Sequence, residues 1–210
     1  MTCVAFRSVD DGYTWTFTGS ILDASQAPES EEGPNENDLV LLADGKTIMC
    51  VVRLDAGDGP VSHPYRPYAR VLSVDGGRTW TNATSLPKGV GCARPRLLRT
   101  DSGEVILSGG RLGPSNGDTY VWLNSGRDAG VDWQAHSITY WHNRLVDDKS
   151  LHFTSAVNSS HARQTMSYTS LVRTGPQTGF VVYARKLPGT SDTAFAMPFT
   201  VDNQSQGGVV

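Results

Sequence analysis

The chain has 210 residues, of which 38% are hydrophobic and 9% aromatic, and its formal net charge is −3. This apolar content is enough for the core of one large domain or two small ones. No run of Lys and Arg gathers into a phosphate-binding block, so we expect no nucleic-acid partner. No apolar run approaches the roughly 18 residues of a membrane span, so we expect no membrane-spanning segment. The sequence leaves the cellular compartment open.

Cysteine and histidine spacing gives no sign of a metal site. Cys3, Cys50 and Cys92 form no CxxC pair, which predicts buried, inert thiols rather than a zinc site or a disulfide framework. The five histidines show no metal-ligand spacing such as H-E-x-x-H. We therefore expect neither a metal nor a cofactor.

Short apolar runs separated by Gly, Asp, Asn and Pro recur along the chain. Residues 39–42 with 48–52, and 97–98 with 105–107, are typical of β-hairpins, because Asp-Gly and Ser-Gly steps supply positive φ in the turn between strands. Further strands are predicted at residues 69–73, 120–123, 137–140, 169–172, 180–184 and 195–201. No amphipathic helix of useful length is evident, so the predicted class is all-β with antiparallel hairpins.

An eight-residue motif recurs and indicates the architecture. Residues 8–15 and 73–80 share the form S-x-D-x-G-x-T-W, and a degenerate third copy begins at Ser125 and keeps Asp128, Gly130 and Trp133. The copies start 65 residues apart, from 8 to 73, and then 52 apart, from 73 to 125. In each, Asp can accept backbone N–H bonds within a turn, Gly allows a conformation barred to other residues, and Trp packs beneath.

These octets resemble the Asp-boxes of sialidases, also called neuraminidases, whose fold is a six-bladed β-propeller. The resemblance spans roughly residues 8–183 and implies a partial propeller over residues 1–201. By the spacing of the copies the chain would form about three to four blades, followed by a polar, Gly-rich tail at 202–210. Asp-boxes also occur in non-catalytic propellers, so activity depends on other positions.

Glu36 and Arg53 match two positions of the sialidase active site. Glu36 stands in the context Pro34-Asn35-Glu36-Asn37, and Arg53 follows seventeen residues later, at the end of the returning strand. The resemblance implies that Glu36 polarises the nucleophile and that Arg53 belongs to the triad that holds the substrate carboxylate. The alternative is a loop carboxylate and a solvated strand end.

Tyr168 matches the nucleophile of the family. It lies in Ser167-Tyr168-Thr169-Ser170-Leu171, and a returning strand ends at Tyr183, as the resemblance requires. A buried aromatic at a strand start is the alternative. A neutral phenol suits sialic acid because a carboxylate nucleophile would be repelled by the substrate's own carboxylate. With a pKa near 10, the phenol needs a base beside it, and Glu36 supplies one.

Arg111, in Ser108-Gly109-Gly110-Arg111, is our choice for a further arginine of the triad, with Arg127 as its rival. Arg127 falls inside the degenerate octet, on the expected outer rim. Arg94 and Arg96 are expected to be rim or strand residues. Arg is suited to this clamp because its planar fork binds two carboxylate oxygens and stays charged.

Two family features are missing from the sequence. The triad arginine in an Arg-Ile-Pro-like context and the aspartate that acts as general acid/base stand far upstream of the glutamate in the family, and nothing before Glu36 matches them. A fragment is the simplest explanation; a piece that completes its ring with another chain, or a degenerate relative, are the others. We expect the chain alone to hydrolyse sialosides poorly, since general acid catalysis typically contributes ~10²-fold to 10⁴-fold.

The sequence thus predicts part of a retaining exo-sialidase that acts on sialylated glycans. The main alternative is a non-catalytic propeller that binds glycans or proteins, and it gives no reason for Glu36, Arg53 and Tyr168 to converge. A more remote alternative is another glycosidase on a propeller, which would use paired carboxylates and make Tyr168 incidental.

Overall fold

Four antiparallel sheets follow one another along the chain. The computed structural model describes residues 1–55, 66–91, 93–110, 119–153, 165–185 and 193–202. Sheet 1 has the strand order β1-β2, sheet 2 β3-β4-β5-β6, sheet 3 β7-β8-β9-β10 and sheet 4 β11-β12-β13. The strands are β1 (Thr2–Arg7), β2 (Thr16–Asp23), β3 (Gly33–Leu41), β4 (Ile48–Asp55), β5 (Ala69–Ser73), β6 (Thr84–Ser85), β7 (Arg96–Arg99), β8 (Val105–Gly110), β9 (Thr119–Asn124), β10 (Gln134–Ser137), β11 (Thr165–Arg173), β12 (Thr178–Arg185) and β13 (Thr193–Thr200).

Three apolar clusters fill the spaces between consecutive sheets, because each central strand sends alternate side chains to opposite faces. Cys50 and Val52 of β4 pack backward against sheet 1, whereas Met49 and Val51 pack forward against sheet 3. Sheets 3 and 4 enclose the third cluster, which includes Val121. Sheets stacked face to face, each with its strands in chain order, form consecutive propeller blades.

The described residues therefore form a partial β-propeller, with two four-stranded blades and two shorter ones. The all-β class and the estimate of three to four blades are confirmed. The predicted strands fall within the observed ones, or exceed them by one residue at an end, except at residues 137–140. The boundary of the domain at residue 201 stays a prediction, and residues 203–210 of the predicted tail lie outside the described residues.

The two complete octets form the predicted turns. In the first, Asp10 accepts hydrogen bonds from the Thr14 backbone N–H (2.9 Å) and hydroxyl (2.5 Å). In the second, Asp75 accepts the same two bonds from Thr79 at 3.0 and 2.6 Å. The first octet connects β1 to β2. The second connects β5 to β6, the third and fourth strands of the four-stranded sheet 2. In sheet 2 the motif is therefore a turn between the third and fourth strands, and its hydrogen bonds lie within the octet.

A short helix, α1 (Ile138–Leu145), occupies most of the segment predicted as a strand at 137–140. Ser137 ends β10 and caps the helix, since its hydroxyl accepts a hydrogen bond from the Tyr140 backbone N–H at 3.1 Å. Ile138, Trp141 and Leu145 recur at helical spacing, and Ile138 is buried in the cluster between sheets 3 and 4. The strand prediction was wrong because a short apolar run does not by itself distinguish the two periods.

Cys3 and Cys50 are buried, free thiols, as predicted, and burial raises the pKa of both. Cys92 lies outside the described residues. Over the described ranges, no helix is long and apolar enough to cross a membrane.

Candidate active site

The first strands of sheets 2, 3 and 4 lie against one another and form the inner side of the stack. Strand β3 contacts β7, and β7 contacts β11. Asp38 on β3 joins two of these sheets, since its carboxylate accepts a hydrogen bond from the backbone N–H of Leu97 on β7 at 2.8 Å. Thr169 on β11 is buried and its hydroxyl lies 2.7 Å from that of Ser108 on β8. Residues distant in sequence are thereby fixed at one inner edge.

Glu36 stands in a β-bulge of β3. Pro34 pairs with Leu54 and Asn37 with Val52, so Asn35 and Glu36 together face the single residue Arg53 on β4. A bulge places one extra residue in a strand and turns its side chain away from the regular alternation. Glu36 is therefore directed at Arg53 by the strand pairing itself.

Neighbouring polar groups hold this bulge in place. The Asn35 side-chain oxygen accepts a hydrogen bond from the Glu36 backbone N–H at 2.7 Å, and the Asn37 amide donates to the Asn35 carbonyl at 3.0 Å. The thiol of Cys3, on β1 of sheet 1, donates to the same carbonyl with a sulfur–oxygen distance of 3.2 Å. The Asn-Glu-Asn sequence thus fixes the Glu36 backbone through its flanking amides.

Arg53 and Glu36 form an ion pair. The distance from Arg53 Nη1 to Glu36 Oε2 is 2.7 Å, and the two side chains are 12% and 23% exposed. Partial burial reduces solvent screening, so this pair is held more firmly than one on an open surface. A guanidinium has five N–H donors and can hold Glu36 and a second carboxylate at the same time.

Tyr168 lies on β11, the first strand of sheet 4, whereas Glu36 lies on the first strand of sheet 2. The Tyr168 hydroxyl interacts with the Glu36 side chain, and this interaction is the first cause of a raised pKa at Tyr168. Burial also raises this pKa, while the charges of Arg53 and Arg94 lower it. The side chain is 53% exposed, so the phenol is accessible from solvent.

Arg94 is the residue that sequence reasoning missed. It was expected on the rim or a strand, yet its charge acts on the Tyr168 hydroxyl, and its side chain is exposed. It follows Ala93, whose φ of 60° is in the left-handed region, two residues before β7 begins. The available sequence signal was the position of Arg94 immediately before the Pro that precedes β7, the strand that lies between β3 and β11.

The two arginines proposed for the remaining triad position give no support to the site. Arg111 lies outside the described residues. Arg127 is exposed within the degenerate octet between β9 and β10, where its backbone N–H donates to Ser125 Oγ at 3.3 Å. This is the outer position expected for Arg127.

The arrangement contains a phenol, a carboxylate that can accept its proton, and cationic groups beside both. These are the parts needed to deprotonate a hydroxyl nucleophile as it attacks, next to a bound anion. Among the residues that the structure describes, no group of three His, Cys, Asp or Glu side chains could hold a metal ion.

Solved structures of similar fold include two sialic-acid enzymes. No protein-family model and no curated protein sequence matches the chain. An intramolecular trans-sialidase from Ruminococcus gnavus, solved with oseltamivir carboxylate, aligns with a TM-score of 0.59 at 18% identity, covering 96% of this chain and 39% of that one. The leech intramolecular trans-sialidase, complexed with 2,7-anhydro-Neu5Ac, gives a TM-score of 0.56 at 14% identity, with coverages of 93% and 27%.

A protein of unknown function from Dyadobacter fermentans DSM 18053 aligns with a TM-score of 0.61 at 19% identity, covering 92% of this chain and 44% of that one. The chain therefore spans less than half the length of each of these three structures. At this level of identity the comparison establishes the fold, a sialidase-like partial β-propeller.

Proposed function

We propose that the chain carries part of the active site of a retaining exo-sialidase, in which Tyr168 is the nucleophile and Glu36 accepts its proton. The observation that supports this most is the ion pair of Glu36 with Arg53 at 2.7 Å, together with the interaction of the Glu36 side chain with the Tyr168 hydroxyl, which raises the pKa of that phenol. Ordinary packing gives no reason for a half-exposed tyrosine to meet a carboxylate from a different sheet. A deprotonation step requires this contact.

Arg53 and Arg94 supply positive charge that acts on the Tyr168 hydroxyl and would attract a substrate carboxylate. In the proposed reaction the phenolic oxygen attacks the anomeric carbon as the glycosidic bond breaks, and the phenolic proton moves to Glu36. The departing alcohol oxygen takes its proton from a general acid that is not among these residues. Arg53 keeps the glutamate oriented, and its planar guanidinium is suited to binding the substrate carboxylate. Arg111 stays a candidate for the same clamp.

The nucleophile can be tested apart from the general acid. A 3-fluorosialosyl fluoride loses its leaving group as fluoride, which needs no protonation. Attack therefore forms a bond between the Tyr168 phenolic oxygen and the anomeric carbon and breaks the anomeric carbon–fluorine bond. We expect one covalent adduct per chain, mapped to Tyr168 by peptide mass spectrometry. Glu36→Gln should slow labelling by roughly 10²-fold or more, because the phenol then lacks its base.

Tyr13 provides the matched control, because it is 88% exposed and lies in the first octet, away from Glu36. Tyr13→Phe should label as the unaltered chain does, and Tyr168→Phe should not label. Adduct on other residues, or equal labelling of the Tyr168→Phe variant, would contradict the assignment. Saturable binding of sialic acid without any labelling would favour the glycan-binding propeller.

A further inference from the structure

Asp38 lies two residues after Glu36 on β3, on the face of sheet 2 that looks toward sheet 3. Its cross-strand partner is Val51, which packs against sheet 3, and the side chains of a cross-strand pair project from the same face. Asp38 Oδ2 accepts the hydrogen bond from the Leu97 backbone N–H at 2.8 Å, and Oδ1 accepts one from the Leu39 backbone N–H at 2.9 Å. The carboxylate thus binds the backbone of two strands that belong to different sheets.

This contact fixes the beginning of β7. Leu97 is the second residue of that strand, and Arg96, the first, brings its Nη1 atom to 4.0 Å from Asp38 Oδ2. At the junction of sheets 3 and 4 the polar contact is a neutral one, between the hydroxyls of Ser108 and Thr169. The junction of β3 with β7 is held by a charge-assisted bond, which is roughly twice as strong as a neutral one.

The segment between Leu97 and Arg94 leaves the chain little freedom. Pro95 locks its own φ and restricts the residue before it, Arg94, to extended backbone. Ala93 and Pro95 are buried on either side of Arg94, whose own side chain is exposed. A displacement of Leu97 is therefore passed on to Arg94 instead of being absorbed between them.

We propose that Asp38 is a positioning residue, which holds the beginning of β7 on β3 and thereby places the Arg94 guanidinium beside the Tyr168 hydroxyl. Arg94 acts on Tyr168 through its charge, and β7 contacts both β3 and β11. Asp38 acts through Arg94, because its own hydrogen bonds go to backbone. The inference rests on the proposed function, since it concerns the same site, but its first test needs no catalytic reaction.

A direct effect of the Asp38 charge on Tyr168 has the opposite sign. A negative charge nearby raises the pKa of a phenol, so its removal lowers that pKa. Withdrawal of Arg94 removes a positive charge and raises the pKa of Tyr168. The direction of the change after substitution of Asp38 therefore separates the positioning role from a direct one.

The first test measures the pKa of Tyr168 by carbon-13 NMR on protein labelled at the tyrosine Cζ, with Tyr168→Phe to assign the signal. Arg94→Gln and Asp38→Ala should each raise this pKa, and the double variant should raise it no further than Arg94→Gln alone. Asp38→Asn should not raise it, because the amide oxygen still accepts the bond from the Leu97 N–H. Asp38→Ser, which is too short to reach β7, takes the place of Asp38→Ala if that variant does not fold.

Asp101→Ala is the matched control. Asp101 also joins two sheets, through its ion pair with Arg173, but Arg173 ends β11 whereas Tyr168 stands near the beginning of that strand. The control should leave the pKa of Tyr168 unchanged. The proposal is overturned by an unchanged Tyr168 pKa in Asp38→Ala or Arg94→Gln, by single shifts that add up in the double variant, or by an equal rise in Asp38→Asn.

Labelling by the 3-fluorosialosyl fluoride is the second measurement. Asp38→Ala should raise the reagent concentration that gives half the maximal labelling rate by roughly tenfold, since Arg94 no longer attracts the reagent's carboxylate, and should change the maximal rate less. Labelling of the unaltered chain with no such change in Asp38→Ala would count against the proposal. Expected shifts in the Tyr168 pKa without labelling of any variant would reject the proposed function and leave the role of Asp38 standing.

Discussion

The two complete octets have nearly the same sequence and the same internal hydrogen bonds, yet they differ in what covers them. Trp15 and Trp80 each donate an indole N–H bond to the carbonyl of their octet glycine, at 3.0 and 3.1 Å. Trp80 packs with the cluster between sheets 1 and 2 and is half-buried, whereas Trp15 is 62% exposed.

The neighbouring blade explains this difference. The space around Gly77 of the second octet is bounded by Ala5 and Thr18 of sheet 1, each 3.8 Å from an ideal Cβ, while Trp15 is the group within 4 Å of Gly12 in the first octet. The third, degenerate octet follows the same rule, since Gly130 lies against Met49 of sheet 2. Each turn is built by its own residues and is buried by the preceding sheet.

The largest expected effect separates the two tryptophans. Trp80→Ala removes packed surface and should lower the free energy of unfolding by about 3 kcal/mol, at the low end of the range for a buried aromatic because Trp80 is half-buried. Trp15→Ala loses its indole hydrogen bond and little packing, so we expect about 1 kcal/mol. Urea unfolding of both variants measures the difference. Equal losses would mean that the covering blade adds nothing to the stability of the second octet.

Substitution of either octet glycine by alanine should cost a similar free energy of unfolding, because the cost comes from the positive φ of the backbone. Gly12 and Gly77 have φ values of 88° and 87°, and the nearest groups around Gly77 are at ordinary contact distance. Gly12→Ala and Gly77→Ala should each cost about 1–2 kcal/mol, the penalty of a side chain in the left-handed region. Gly45→Ala is the control, since Gly45 has a φ of 67° and open space around it. A much larger loss at Gly77 would show that packing, not φ, decides.

The smallest effect concerns the octet carboxylates. The Thr14 hydroxyl, followed by its backbone N–H, lowers the pKa of Asp10 to about 2, and Thr79 likewise lowers the pKa of Asp75. Because both folded pKa values are depressed, the stability they contribute is present above the unfolded pKa near 3.9 and is lost as pH falls through the folded values.

Carbon-13 NMR titration of the two carboxyl groups measures these pKa values directly. Thr14→Val and Thr79→Val should each raise the pKa of the neighbouring aspartate toward its ordinary range, by similar amounts, since the hydroxyl bond is the first cause in both octets. A rise at one octet alone would show that packing of the neighbouring sheet, rather than the local hydrogen bond, sets the pKa of the aspartate.

The sequence predicted local features of the candidate site better than its full membership. Glu36 and Arg53 stand at the two ends of one predicted hairpin, the resemblance assigned both to the site, and the structure joins them at 2.7 Å through a bulge. Contact between Tyr168 and Glu36 required a family resemblance, since strands from different sheets carry no mutual signal in the sequence. Arg94 was missed for the same physical reason: its approach to Tyr168 depends on how β7 packs between β3 and β11.

By itself the sequence determined the all-β class, most strands, and the octet turns, because alternation, turn chemistry and side-chain-to-backbone bonds act within a few residues. Helix α1 shows the limit of this local information, since its short apolar run is compatible with both the helix period and the strand period. Only the tertiary structure decided which octet is covered and which side chains act on Tyr168. These depend on sheets that pack across long sequence separations, where burial is set by the neighbouring blade and not by the residue itself.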